Sequence, residues 1–62
     1  MESIKYLNEK QVAEITGFAL QTLRNWRQEK KGLPYLKVGR MVRYSPQDIT
    51  NYFESKRVNP KR

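Results

Sequence analysis

The sequence predicts a mainly α fold with one small β-hairpin, in the order helix, turn, helix, hairpin, helix. Three observations predict it. Two short stretches of helical apolar periodicity lie on either side of Gly17, with room for only a tight turn between them. Residues 35–44 carry β-branched and aromatic residues around Gly39, and Ser45-Pro46 opens a third periodic stretch.

The first helix is announced by Asn8, a good N-cap, with Gln11 three residues on to complete a capping box in "NEKQ". Leu7 and Val12 fall at the two positions of a hydrophobic staple, and Val12, Ala13, Ile15 and Thr16 carry the helix over residues 9–16. Gly17 suits the left-handed residue that ends many helices, because it has no Cβ to clash. The second helix spans residues 20–30. Leu20, Leu23 and Trp26 recur on one side, and Gln21, Arg24, Asn25 and Gln28 take the other. Lys30 and Lys31 complement the last carbonyls, and Gly32 closes the element.

Residues 35–44 read as a hairpin. A two-residue Gly39-Arg40 loop would put Leu36, Val38, Met41 and Arg43 on one face and mix charge with apolar side chains. A three-residue loop, Gly39-Arg40-Met41, pairs Val38 with Val42 and Leu36 with Tyr44, and leaves Lys37 and Arg43 together on the opposite face. The cleaner separation favours the three-residue loop. The third helix starts after Ser45 as N-cap, with Pro46 at the first helical position and Asp48 placed to accept from the cap. Ile49, Tyr52 and Phe53 form its apolar stripe. Residues 1–56 therefore read as one domain, and residues 57–62 as a basic tail expected to be disordered.

Composition narrows the function. The 62 residues contain no cysteine and no histidine, so disulfides, the common zinc-site spacings and the usual nucleophile–base pairs are excluded. The six acids are scattered, and no phosphate-cradling glycine loop is present. No catalytic residue, metal or cofactor is expected. With no charged-then-apolar leader and no apolar run of about 20 residues, the chain reads as a soluble cytoplasmic protein. Thirteen Lys and Arg against six Asp and Glu give a net charge of +7, which points to a polyanionic partner.

A hairpin following two sharply turned helices is the order of a winged helix-turn-helix, whose second helix enters the DNA major groove while the wing touches the backbone. Gln and Asn amides bind adenine in bidentate fashion, and Arg does so with guanine. Gln21, Thr22, Arg24, Asn25, Arg27 and Gln28 are the candidate recognition-helix contacts. Lys37, Arg40 and Arg43 are the candidate wing and backbone contacts. An ordinary polar helix face and protective cations on an edge strand would explain the same residues without DNA. Trp26, Tyr44, Tyr52 and Phe53 are assigned to the core rather than to base stacking, since so short a chain needs its largest apolar side chains there.

The chain resembles the excisionase-like family of small MerR-type winged helix-turn-helix proteins over residues 6–55. The segments that carry the likeness are "YLNEKQVAEITGF", "TLRNW" and "LPYLKVGRMVRYSPQDITNYF". The resemblance implies that Thr22, Arg24, Asn25 and Gln28 face the major groove and that Arg40 and Arg43 belong to the wing. It also implies sequence-specific binding of double-stranded DNA by a phage, plasmid or integrated-element protein. Such a protein steers recombination towards excision beside an integrase or recombinase, or regulates promoters. The chain departs from the family pattern at Ala19, where a Ser cap is common, and at Thr16, where an apolar residue is usual. A monomer that binds adjacent sites cooperatively is expected, as no dimerisation helix is evident. The competing expectation is a protein-interaction module docking on an acidic host or recombinase surface, and RNA binding ranks third.

Overall fold

The structure is a computed structural model and describes residues 5–60. Three helices and a two-stranded antiparallel hairpin follow one another as α1 (Glu9–Thr16), α2 (Leu20–Glu29), β1 (Leu36–Val38), β2 (Met41–Arg43) and α3 (Pro46–Ser55). This is the architecture of a winged helix-turn-helix.

Local chemistry fixes the start and end of α1. Asn8 Oδ1 accepts from the Gln11 backbone N–H at 2.8 Å, and Gln11 Oε1 accepts from the Asn8 N–H at 2.9 Å, so the capping box is complete. Gly17, at φ +84°, ends the helix. Thr16 earns its unusual place before that glycine: its hydroxyl donates to the Val12 carbonyl at 2.6 Å and accepts from the Phe18 N–H at 3.2 Å, closing the turn. Ala19 then enters α2 with no side-chain cap, as its sequence position requires.

The end of α2 differs from the expectation. Lys30, not Gly32, is the left-handed residue that stops the helix, at φ 56°. Gly32 serves a different purpose, because the Trp26 ring lies against it. A Cβ built on Gly32 would sit 2.3 Å from Trp26 Cε3. At α3, Ser45 caps through its extended backbone, and its side chain makes no capping hydrogen bond with the first turn.

The core draws one buried residue from each helix and two from the segments between them: Val12 on α1, Leu23 on α2, Leu33 in the connection, Tyr44 after β2 and Ile49 on α3. Leu7, Ala13, Phe18, Trp26, Val42 and Tyr52 pack around them. Phe18 joins the turn to α2 and α3, edge-on to Trp26 at 4.9 Å and stacked on Phe53 at 5.8 Å. Phe53 is nevertheless 43% exposed, so it is a lid on this aromatic group and not the core residue expected. Trp26 packs between Phe18 and Tyr52 and is unavailable as a base-stacking platform.

The hairpin register is also corrected. The loop has two residues, Gly39 and Arg40, and the pairs are Leu36 with Arg43, Lys37 with Val42 and Val38 with Met41. Lys37 and Arg43 therefore lie on opposite faces. Two causes outweigh the separation of faces. Gly39 has φ +61° and Arg40 a negative φ, which matches the Gly-first turn favoured in two-residue hairpins. Tyr44, moreover, is taken by another partner: its backbone N–H donates to the Leu7 carbonyl at 2.8 Å, and the Leu7 N–H donates to the Tyr44 carbonyl at 2.9 Å. The face shared by Leu36, Val38, Met41 and Arg43 stays open, with Val38 60% and Met41 50% exposed, so nothing penalises the charge mixed into it.

Of the basic tail, Lys61 and Arg62 lie outside the described residues. Arg57 is held to Glu54 by a forked ion pair at 2.7 Å, and Lys56 Nζ stands 5.2 Å from the centre of the Tyr52 ring.

Candidate nucleic-acid interface

The outward side of α2 presents Gln21, Arg24, Asn25 and Gln28, all exposed, with Thr22 half-buried at its margin. Gln21 Nε2 donates to Asn25 Oδ1 at 3.0 Å, one turn along, which couples the two amides and leaves Gln21 Oε1 and Asn25 Nδ2 directed to their surroundings. Leu23 anchors the opposite side, so this row is set by the burial of α2.

Arg27 sits apart from that row. Its side chain is only 21% exposed, against 49% for Arg24, and its Nη1 donates both to Glu9 Oε1 at 3.2 Å and to the Tyr44 hydroxyl at 3.1 Å. The buried phenol thus has its polar end satisfied, and among the described residues no buried side-chain polar atom is left unpaired.

Glu9 joins the two arginines. Arg24 Nη2 donates to Glu9 Oε2 at 2.7 Å and Arg24 Nε to Oε1 at 3.3 Å, a forked pair between α1 and α2. The Arg24 hydrogen bond, followed by that from Arg27, holds the Glu9 carboxyl below its ordinary range, against the opposing effect of partial burial. The same bond raises Arg24. Burial pulls Arg27 down, but the Tyr44 hydroxyl and Glu9 outweigh it and the net shift is upward.

The wing completes the surface. A cleft of about 480 Å³ opens between the start of α1 and the wing, lined by Lys10, Arg27, Arg40 and Arg43 together with Glu9. Among the described residues, Lys10, Lys37, Arg40 and Arg43 have no carboxylate partner, so the rim is positive. Arg40 stands in the loop of the hairpin. Arg43 folds back along its own strand, its Nη1 donating to the Val42 carbonyl at 2.8 Å and its Nη2 lying 3.4 Å from Met41 Sδ. Lys37 is exposed on the opposite ribbon face from Arg43.

Recognition-helix and wing cations are thus brought together through Glu9 and the cleft, while Lys37 is set apart from the rest of the wing group. Sequence reasoning missed two members of this surface. Lys10 carries no periodic signal, being one basic residue in a capping sequence. Glu9 reads from sequence as a first-turn acid, and only its distance to two arginines spaced three apart on α2 shows the link. No group of His, Cys, Asp or Glu among the described residues is arranged to hold a metal ion. No helix there is long and apolar enough to cross a membrane.

Comparison with curated proteins and with solved structures gives no match. The model of a helix-turn-helix domain family matches residues 6–57, most of the chain, and with its two tightly turned helices the protein belongs to that family of DNA-binding domains.

Proposed function

We propose that the protein is a sequence-specific binder of double-stranded DNA, without catalytic activity of its own, that reads bases with α2 and grips the phosphate backbone with the wing. One observation carries the reading. Arg24, in the exposed amide and guanidinium row of α2, pairs with Glu9, which lines a cleft rimmed by Lys10, Arg40 and Arg43. Amides and guanidinium groups discriminate base edges, and unpaired cations alongside neutralise phosphates. Gln21 Oε1 and Asn25 Nδ2 supply an acceptor and a donor, the pair that the major-groove edge of adenine requires. Arg24 supplies the contact suited to guanine. The resemblance to excisionase-like proteins supports a role on a mobile element, either in directing recombination beside an integrase or in regulating a promoter.

Titration of duplex DNA tests the reading. Arg24→Ala is expected to cost about 1–3 kcal/mol on the selected site and little on other sequences, whereas Arg40→Ala weakens binding to all sequences alike. Absence of duplex binding at low salt would refute it.

A further inference from the structure

The Glu9–Arg24 pair uses only part of the Arg24 guanidinium. A guanidinium has five N–H donors on a rigid plane. Glu9 takes the side edge, through Nε and Nη2, and its second neighbour Arg27 holds the carboxylate from behind at 3.2 Å. The end edge of Arg24, formed by Nη1 and the remaining Nη2 hydrogen, has no partner among the described residues, and the side chain as a whole is half-exposed. An end-on guanidinium edge matches the O6 and N7 acceptors of guanine.

Resting on the reading of α2 as the base-contacting helix, we propose that Glu9 is a specificity-determining positioning residue: with Arg27 behind it, it locks the guanidinium plane of Arg24 so that its free end edge meets a guanine. The support is continuous from the core outward. The Tyr44 ring is buried, its hydroxyl receives Arg27, Arg27 holds Glu9, and Glu9 holds Arg24. A side chain fixed before binding loses less freedom on meeting its base, which raises affinity where the acceptors fit. A carboxylate facing the DNA also repels phosphate, which lowers affinity everywhere else. Both effects widen the gap between correct and incorrect sites. Arg27 is on this account a positioning residue as well, one step further from the DNA.

The test uses the full chain, a duplex carrying a site selected from a random library, and a mixed-sequence duplex of equal length. Glu9→Gln is expected to bind the mixed duplex about fivefold more tightly and to lower the selected-to-mixed affinity ratio by about tenfold. Glu14→Gln, which removes an exposed acid from the same helix, should leave the ratio unchanged. Replacing guanines of the site one at a time by 7-deazaguanine removes the N7 acceptor. At one position this should weaken the wild type about tenfold and Glu9→Gln much less. A second measurement needs no variant: the Arg24 Nε–Hε resonance should show slow hydrogen exchange in the free protein and keep it in the complex. An unchanged affinity ratio for a folded Glu9→Gln, or an Arg24 resonance that becomes fast-exchanging on DNA, overturns the proposal while duplex binding stands. If the wild type binds neither duplex, the failure belongs to the DNA-binding reading itself.

Discussion

Gly32 shows how much a single position carries in so small a molecule. Its φ is +77°, and the Trp26 ring occupies the space that any Cβ would need, with contacts of 2.3 to 2.8 Å to three ring atoms. Gly17 has a similar φ of +84° but open space around it. The comparison separates backbone strain from crowding. Gly17→Ala should destabilise by about 1–2 kcal/mol through the left-handed conformation alone. Gly32→Ala adds the cost of displacing a packed indole and should lose roughly 2–4 kcal/mol. Urea denaturation of the two variants measures the difference. The sequence marks both glycines as punctuation, yet it cannot distinguish them. Gly17 answers to the turn beside it, whereas Gly32 answers to a ring six residues back that only the folded connection brings over it.

Among the elements, legibility follows the range of the forces that set each one. The start of α1 was readable because the Asn8–Gln11 capping box is local. The start of α3 was readable from Ser45-Pro46 for the same reason, although the expected bond from its cap is absent. The wing register was hidden in part, because Tyr44 leaves the ribbon to pair with Leu7, a residue distant in sequence that lies before α1. The pairing of α1 with α2 through Glu9 was equally hidden, since its partners lie 15 and 18 residues along the chain. That pairing has a pH signature. Hydrogen bonding by Arg24 lowers the folded-state Glu9 value below its ordinary value of about 4.5. Its contribution to stability is therefore complete above the ordinary value and is lost as pH falls through the depressed one. Thermal unfolding of wild type and Glu9→Gln should differ most near neutral pH, and the difference should shrink below about pH 4. A gap that stays constant down to pH 2 would show that the ion pair does not link the helices.

For the molecule as a whole, five buried residues among those described anchor the core, and a chain of 62 residues sits near the size below which domains usually need a metal or cross-link. The aromatic group of Phe18, Trp26, Tyr52 and Phe53 extends that small core towards the surface. The charge is likewise a property of the whole. A net +7, with Lys10, Lys37, Arg40 and Arg43 lacking carboxylate partners among the described residues, makes association depend on displaced counterions. With about five phosphate contacts, log affinity should fall by about 4–5 for each tenfold rise in salt. A slope near zero in a salt titration would mean that the cations do not meet the backbone. Overall charge, element order and the α2 row were legible because each depends on residue type or periodicity. The joining of those parts into one surface was not, because it depends on Glu9 and the wing lining one cleft from distant parts of the chain.

The Leu7–Tyr44 bridge gives that surface its mechanical character. Two backbone hydrogen bonds, at 2.8 and 2.9 Å, clasp Leu7, just before α1, to Tyr44, the residue after β2. Every side chain proposed to meet DNA within the domain, from Lys10 through Arg43, falls between the two halves of this clasp. The helices and the wing are thus threaded on one closed circuit, with α3 braced outside it. Opening the clasp would release the start of α1 and the root of the wing together, so the two arms of the grip share a single hinge pin.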